Sequence, residues 1–434
     1  MTLNATELQG RGVEMNAAAA ESAMPLPREL RAFWAMSAVA FLLAFVVGWL
    51  KWHAGQSLYN WDPLSDPRFG DLLEYPGTYG LLHTRAFFFN MPDKPWAYPM
   101  YSPVAYPPFA AAVMAPIYLS GQPELVFVVL SAVWLLAAIL WVRSWMSRAG
   151  INDWAAALFP VTVVAMSFPI ARLVHQGNIE LVVWVLTATG VWAWVRERND
   201  LAAVLWGCGA AMKLFPLVLL LLLLPRRKGR AFAVGLAAFL LATLWALWWL
   251  GPTLTDAWRG SMANVFGYQG TRVSEWTLRE LVANHSAVEI SKLVATIAGF
   301  PLKKLSLVYY ASGTVVFAAA FFGKLWGMPL ANQLLGVSAF MAMFPAISYY
   351  HALVHLYAPL VLLGVVAVRA QRAGVDVPGL RTTTLLFVPL FVAFTVLTYP
   401  TMFIYCGLIQ ASVLVLLFLC SLQYRFEVPE AAVA

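Results

Sequence analysis

Long apolar runs separated by short polar segments dominate this chain. Each run approaches the roughly 20 residues that an α-helix needs to cross about 30 Å of hydrocarbon. Because a bilayer offers the backbone no hydrogen-bond partners, such uniformly apolar runs predict membrane-spanning helices. The runs cover residues 31–50, 125–142, 154–170, 179–195, 231–250, 305–323, 331–347, 352–368, 383–399 and 401–421.

The composition supports an integral membrane protein. Of the 434 residues, 61% are hydrophobic and 11% are charged, whereas about a quarter of the residues in soluble proteins are charged. The mean hydropathy is +0.73. The predicted fold class is therefore an all-α integral membrane protein. Cys208, Cys406 and Cys420 lie in apolar runs without metal-binding or redox spacing, and we interpret them as small core residues.

The net charge of +7 does not indicate a nucleic-acid partner, because the basic residues form short clusters between the runs. The positive-inside rule places these clusters in the cytoplasm and the loops at 51–122 and 251–304 on the opposite side of the cytoplasmic membrane. We predict a disordered cytoplasmic tail at 1–30, a transmembrane domain at 31–424 and a cytoplasmic tail at 425–434. The clusters are Arg28 and Arg31, Arg143 and Arg148, Arg196 and Arg198, Arg226 to Arg230, and Arg369 to Arg381.

Two segments need separate treatment for this topology to hold. Residues 108–120 are predicted as a juxtamembrane helix after a proline pair, with the second span beginning near Glu124. Residues 200–225 have basic clusters on both sides, so they must enter the membrane and return. Two arms of some 12 residues reach roughly 18 Å, which places the turn, at 212–216, inside the membrane. Counting both arms predicts about twelve transmembrane helices.

The first outer loop holds the richest set of acidic side chains. A transferase that joins a sugar hydroxyl to an activated sugar needs a carboxylate to accept the hydroxyl proton. Each acid in this loop is a candidate, and the alternative for each is an ordinary solvated loop residue. The candidates are Asp62, Asp66, Asp71 and Glu74.

Two polar features interrupt the apolar runs. Residues 175–178, His-Gln-Gly-Asn, form a predicted turn in which glycine allows close backbone approach to a ligand. The alternative is that His175, Gln176 and Asn178 only make the hydrogen bonds of the turn itself. Lys213 precedes a half-helix, and a lysine beside a helix N-terminus suits a phosphate at membrane depth. The alternative is that Lys213 extends to the membrane interface.

Further candidates lie near the predicted outer surface. Tyr350 and His351 precede a span, and His355 lies four residues on, where helical residues share a face. The sequence offers these histidines no third ligand at suitable spacing, so we predict no metal site. Arg272 and Arg279 suit either a phosphate clamp or contacts with lipid headgroups. No P-loop, Asp-x-Asp or dinucleotide motif is present, which favours a lipid-carried donor over a soluble nucleotide.

Several short motifs, in their order along the chain, resemble those of glycosyltransferase family 87. This family belongs to the GT-C superfamily of multi-pass membrane enzymes. The resemblance runs from about Ala32 to Leu363. The motifs are Asp71-x-x-x-Tyr75, Tyr106-Pro107-Pro108, Gln176-Gly177-Asn178, Lys213-x-x-Pro216 followed by Arg226-Arg227-Lys228, and Tyr350-His351 before Pro359.

The resemblance implies that a first-loop aspartate is the catalytic base, which at the family's spacing to Tyr75 is Asp71. Here some twenty extra residues separate the first span from this aspartate, so Asp62 and Asp66 stay as rivals. The second outer loop also departs from the family, with Ser-Glu-Trp-Thr-Leu at 274–278 in place of an Asn-x-Ser-Leu stretch. This departure leaves the acceptor open.

The sequence thus predicts transfer of a hexose, chiefly mannose, from a polyprenyl monophosphate to a glycolipid or envelope glycan outside the cytoplasmic membrane. In this mechanism Lys213, with an arginine, holds the phosphate charge and His351 contacts phosphate or sugar. No cofactor or metal is expected, and the partners are the lipid-linked donor, the glycan acceptor and the bilayer. The alternatives are a flippase or transporter for a lipid-linked sugar, and a ligase or polymerase with a lipid-diphosphate donor.

Overall fold

Helices dominate the described part of this chain, whose structure is a computed structural model. The isolated bridge between Met24 and Ile151 is the only β-type pairing in this part of the chain, so the all-α prediction is confirmed for it. The described residues are 24–53, 72, 106–262, 284–345, 347–392 and 406–429.

Fifteen α-helices have named bounds among these residues. They are α1 (Arg28–His53), α2 (Pro108–Leu119), α3 (Pro123–Arg148), α4 (Asp153–Ala165), α5 (Phe168–Gln176), α6 (Glu180–Val195), α7 (Asn199–Met212), α8 (Gly229–Leu250), α9 (Ala287–Ile297), α10 (Leu302–Gly323), α11 (Leu330–Met343), α12 (Tyr357–Ala373), α13 (Leu380–Leu385), α14 (Val388–Phe391) and α15 (Cys406–Gln423). A further helical segment covers residues 254–262. The 3₁₀ helices are the return helix (Phe215–Leu223), Leu325–Gly327 and the histidine helix (Tyr350–Leu356).

Several helices are long and apolar enough to cross a bilayer. Among the described residues there are five such helices, or six if α4 and α5, which meet at a 55° bend, form one broken span. Shorter apolar helices, α2, α6 and α11 among them, accompany these spans. These findings support a polytopic membrane protein, and the total of about twelve transmembrane helices stays a prediction.

The ends of three helices meet at one end of the bundle. Arg28, the first residue of α1, forms an ion pair with Asp376, just beyond α12. The Arg372 guanidinium donates to the Ala149 carbonyl at the end of α3, at 2.5 Å. The Met24 amide donates to the Gly150 carbonyl at 2.8 Å. Three of the predicted basic clusters therefore border one surface of the bundle.

The two arms predicted for residues 200–225 are α7 and the return helix, with the turn between them at Lys213, and their re-entry into the membrane stays a prediction. Helix α7 ends at Met212, and Lys213 has extended backbone (φ −145°, ψ 128°). After the return helix, the Arg226 guanidinium donates to the Trp194 carbonyl at 2.8 Å and lies 4.3 Å from the centre of its ring. Since Trp194 lies near the end of α6, just before α7 begins, the pair starts and finishes at the same end of the bundle.

Small residues allow the re-entrant pair to pack closely on its neighbours. A Cβ atom on Gly207 of α7 would overlap the Gly235 carbonyl oxygen of α8, and one on Gly190 of α6 would overlap the Trp206 indole. The Trp206 ring nitrogen donates to the Thr187 carbonyl at 3.2 Å. Such close backbone approach is typical of helix packing in membranes, and it fixes α7 between α6 and α8.

Helix α2 confirms the helix predicted after the proline pair. Pro107 lies at the N-cap and Pro108 at the first helical position, where its missing N–H has no cost. Ala110 and Met114 share an apolar cluster with Met212 at the end of α7. Helix α2 therefore packs beside the re-entrant turn. The predicted second span near Glu124 is α3.

Candidate functional site

A buried glutamate, Glu180, forms the centre of a polar site. Gly177 follows the last residue of α5, and its φ of 66° is left-handed, which suits glycine. The Asn178 side-chain oxygen then accepts from the Glu180 amide at 2.9 Å. This turn starts α6 at Glu180 and directs the carboxylate into the bundle, where the residue has 0% exposure.

Lys213 neutralises this carboxylate from the re-entrant turn. Its Nζ forms an ion pair with Glu180 Oε2, and 14% of the lysine side chain stays exposed. The ammonium also lies 5.2 Å from the centre of the Tyr106 ring and 5.9 Å from that of Phe215. A charge inside a membrane protein is costly unless it is paired or lines a cavity. Glu180 therefore supplies one anion for Lys213 from within the chain, a partner that the sequence-based prediction of a phosphate at Lys213 did not include.

The second carboxylate oxygen of Glu180 bonds His355. His355 Nε2 lies 2.5 Å from Glu180 Oε1, and its Nδ1 lies 2.9 Å from the Thr187 hydroxyl. Because a carboxylate only accepts hydrogen bonds, Nε2 carries the proton in this contact. Glu180, Lys213 and His355 therefore form one connected, buried polar group drawn from three separate elements.

His351 borders this group on the same histidine helix. It is buried, and it interacts electrostatically with Lys213, Glu180 and Arg172. Its Nδ1 has no hydrogen-bond partner among the described residues. The shared helical face predicted for His351 and His355 is wrong, because this segment is a 3₁₀ helix, in which residues three apart align. No group of three metal-ligating side chains occurs in the described part of the chain.

The structure brings most of the other predicted residues near this group. Asn178 caps α6 and its side-chain amide lies 3.5 Å from the Tyr106 hydroxyl. Gln176 is buried and His175 is half-buried at the end of α5. Tyr350 packs edge-on against Phe168, with ring centres 4.7 Å apart. Seven predicted residues lie outside the described residues: Asp62, Asp66, Asp71, Glu74, Tyr75, Arg272 and Arg279.

Sequence reasoning missed Glu180. The residue begins an apolar run, where it resembles an ordinary charge at the membrane interface. Two signals pointed to it: Asn178 stands at capping distance before it, and a lysine predicted inside the membrane needs an anion. Thr187 and Arg172 were also missed, and the sequence carries no signal for Thr187.

Comparison with known proteins places the site in a family context. Residues 105–348, more than half of the chain, match the sequence model of glycosyltransferase family 87. Over 172 residues, the chain is 32% identical to a polyprenol-phosphate-mannose-dependent alpha-(1-2)-phosphatidylinositol mannoside mannosyltransferase of Mycobacterium tuberculosis. That alignment covers 37% of this chain and 38% of the relative. The family match includes Asn178, Glu180 and Lys213, and it ends just before the histidine helix.

Replacing Glu180 tests whether its charge is the internal partner of Lys213. We expect Glu180→Leu to destabilise the protein by about 3–5 kcal/mol, because it leaves a buried cation uncompensated. Thermal unfolding of the purified protein in detergent measures the change. The matched control is Asp200→Asn, which removes an exposed ion pair with Arg230 and should cost about 0–1 kcal/mol. Equal stabilities of the two variants would contradict the assignment.

Proposed function

Because the chain belongs to glycosyltransferase family 87, we propose that it transfers a hexose, specifically mannose, from a polyprenyl monophosphate to a hydroxyl of a glycolipid or envelope glycan. The relative from Mycobacterium tuberculosis supports this donor, since its name specifies dependence on polyprenol-phosphate-mannose. The observation that carries the proposal is the partly exposed Lys213 side chain, whose ammonium is held between Glu180 and Tyr106 at the turn after α7.

Lys213 is the residue proposed to bind the donor phosphate. An ammonium has three donors, and Glu180 uses one, so two donors stay able to contact a phosphate oxygen. His351 lies beside it with a buried ring nitrogen that has no partner among the described residues. Glu180 fixes the position of Lys213, and Tyr106 flanks the ammonium through its ring.

The reaction creates negative charge on the leaving phosphate. The acceptor oxygen forms a bond to the anomeric carbon, and the bond from that carbon to the phosphate oxygen breaks. The bonding electrons stay on polyprenyl phosphate, and the hydroxyl proton passes to a base. A cation placed where this charge develops lowers the barrier. Lys213 is proposed to supply that cation.

Glu180 is unsuited to be the base. Both of its oxygens are occupied by Lys213 and His355, and it has no exposed surface. We therefore retain the first-loop aspartate Asp71 as the proposed base. The buried Leu72, which follows Asp71 in the sequence, belongs to the same apolar cluster as Ile179. Ile179 directly precedes Glu180, so this shared cluster supports a base near the Glu180 site.

The donor chemistry distinguishes the proposal from its alternatives. Purified protein would be offered polyprenyl-monophosphate mannose and a polyprenyl-diphosphate-linked glycan in parallel. Transfer from the monophosphate alone supports the proposal, and transfer from the diphosphate alone indicates a ligase or polymerase. Movement of the lipid-linked sugar across reconstituted vesicles without transfer indicates a flippase.

Lys213 and Glu180 are best tested together. Lys213→Met alone leaves an unpaired buried carboxylate, so lost donor binding would be confused with lost stability. The double variant Lys213→Met/Glu180→Gln removes both charges, and we expect stability near that of the parent. It should nevertheless bind polyprenyl phosphate roughly tenfold or more weakly, because a charged hydrogen bond is worth about 1.5–3 kcal/mol. Undiminished binding by the stable double variant would remove Lys213 from the phosphate site.

Asp71 is tested through turnover. General-base catalysis contributes about 10² to 10⁴ in rate, so Asp71→Asn should lower mannose transfer by that order and leave polyprenyl phosphate binding intact. Asp62→Asn and Asp66→Asn are the matched controls. If Asp71→Asn is active and one control variant is inactive, the base is the aspartate that was replaced in that control. If all three variants stay active, the proposed mechanism fails.

We place the site at the outer surface of the cytoplasmic membrane, and α8 offers a test at its two ends. Lys228, before α8, and Thr255, after it, are both exposed. In a variant without Cys208, Cys406 and Cys420, an impermeant thiol reagent should label Thr255→Cys in intact cells. It should label Lys228→Cys only after permeabilisation. The reverse pattern would overturn the proposed orientation.

A further inference from the structure

A second buried polar cluster lies beside the histidine helix, and the proposed reaction does not use it. We name it the Asn284 network. Its charged members, Glu289 and Lys292, are both fully buried, and removing two such ions from water costs several kcal/mol each. A free-energy cost of this size indicates that the buried ion pair has a structural or functional role. The members are Asn284, His285, Ser286, Glu289, Lys292, Tyr309 and Ser348.

The network is built around the Asn284 amide. Its oxygen accepts from the Ser348 amide at 2.8 Å and from the Ser286 amide at 3.2 Å. Its nitrogen donates to Glu289 Oε1 at 2.9 Å, and Lys292 Nζ donates to the same carboxylate oxygen at 3.0 Å. The ion pair on α9 therefore orients the amide that holds Ser348.

His285 binds the remaining polar atoms of Ser348. The His285 amide donates to the Ser348 carbonyl at 2.9 Å, and the His285 Nε2 lies 3.0 Å from the Ser348 hydroxyl. Burial lowers the pKa of His285 to about 3, so the ring is neutral at physiological pH. All three polar groups of Ser348 are thus held by two consecutive residues, Asn284 and His285.

The same network holds the other end of the connecting loop. This loop joins the end of α11 at Met343 to the start of the histidine helix at Tyr350, and its described residues are 344, 345 and 347–349. The Tyr309 hydroxyl lies within hydrogen-bond distance of the Met343 and Phe344 carbonyls, at 3.1 and 2.9 Å, and the Ser286 hydroxyl donates to the Met343 carbonyl at 3.1 Å. Both ends of the loop are therefore fixed by buried partners.

Ser348 stands two residues before the histidine helix begins at Tyr350. The His285 and Tyr350 rings also lie 6.1 Å apart. Because a short 3₁₀ helix has few stabilising contacts of its own, the position of its first residue sets the placement of the residues that follow. Those residues include His351 and His355, at the Glu180 site.

We propose that Asn284 and His285, supported by the Glu289–Lys292 ion pair, are positioning residues that set the placement of His351 and His355 against Glu180 and Lys213. They act through Ser348 and contact neither substrate. The expected change in kcat/KM rests on the proposed function. The expected placement of His351 and His355 rests on the structure alone.

The kinetic test is a double-mutant cycle with Asn284→Ala and His351→Ala. A misplacement of about 1 Å can cost 10²-fold in rate, so Asn284→Ala should lower kcat/KM for mannose transfer by about that factor. Combined with His351→Ala, it should add little, because coupled residues are not additive. Additive losses, or a folded Asn284→Ala variant with parental kcat/KM, would overturn the proposal.

Two further variants separate positioning from loss of folding. Ser348→Ala removes only the hydroxyl contact with His285 and should lower kcat/KM in the same direction by a smaller factor. Ser291→Ala is the matched control, since its hydroxyl bonds the Ala287 carbonyl within α9, outside the network. It should behave as the parent. If Ser348→Ala keeps the parental kcat/KM and Asn284→Ala does not fold, the network contributes only to stability and the proposal is wrong.

A spectroscopic readout keeps the test independent of the enzymatic activity. The chain has six histidines, so ¹⁵N labelling of the imidazole rings gives few signals. The His355 ring nitrogens, assigned with a His355→Gln variant, should shift in Ser348→Ala and stay unchanged in Ser291→Ala. Unchanged His355 signals in Ser348→Ala would contradict positioning. If the parent transfers no mannose but these shifts occur, the proposed function fails and the positioning inference stands.

Discussion

The burial of the Glu180 carboxylate is the constraint on which the rest of this structure depends. A charge in a bilayer protein is tolerated when it is paired or faces a polar cavity, and Glu180 is paired on both oxygens. One partner arrives on a re-entrant turn and the other on a 3₁₀ helix far away in sequence. Close packing at Gly190 of α6 holds α7 beside α6, so the lysine at the end of α7 reaches the carboxylate.

The sequence allowed much of the fold to be predicted, because the relevant signals are local. Apolar runs, proline pairs and basic clusters predict helices and their ends, and the structure confirms α2, the start of α3 and the turn between α7 and the return helix. The re-entrant turn was predicted from the basic residues that flank residues 200–225. These patterns depend on the length and composition of segments, and distant contacts do not alter them.

The site was predicted less well, because its pairings connect residues far apart in sequence. Lys213 was identified as a costly cation, but its partner Glu180 lies 33 residues away and resembles an interface charge. His351 and His355 were assigned α-helical spacing, which a 3₁₀ helix does not follow. Local propensity does not distinguish these two helix types in a short apolar segment, so tertiary contacts decide. The role of Asp71 stays a prediction, because it lies outside the described residues.

The 3₁₀ form of the return helix has a consequence for how this segment tolerates sequence change. At about 2.0 Å per residue its nine residues span roughly 18 Å, nearly the roughly 21 Å that the fourteen residues of α7 span at 1.5 Å each. Its sequence is also read in threes: Pro216, Leu219 and Leu222 form one buried row, and Phe215, Val218 and Leu221 form a half-buried one. The third row is Leu217, Leu220 and Leu223. An inserted or deleted residue therefore moves the residues that follow it onto a neighbouring row, and only a change of three restores the rows.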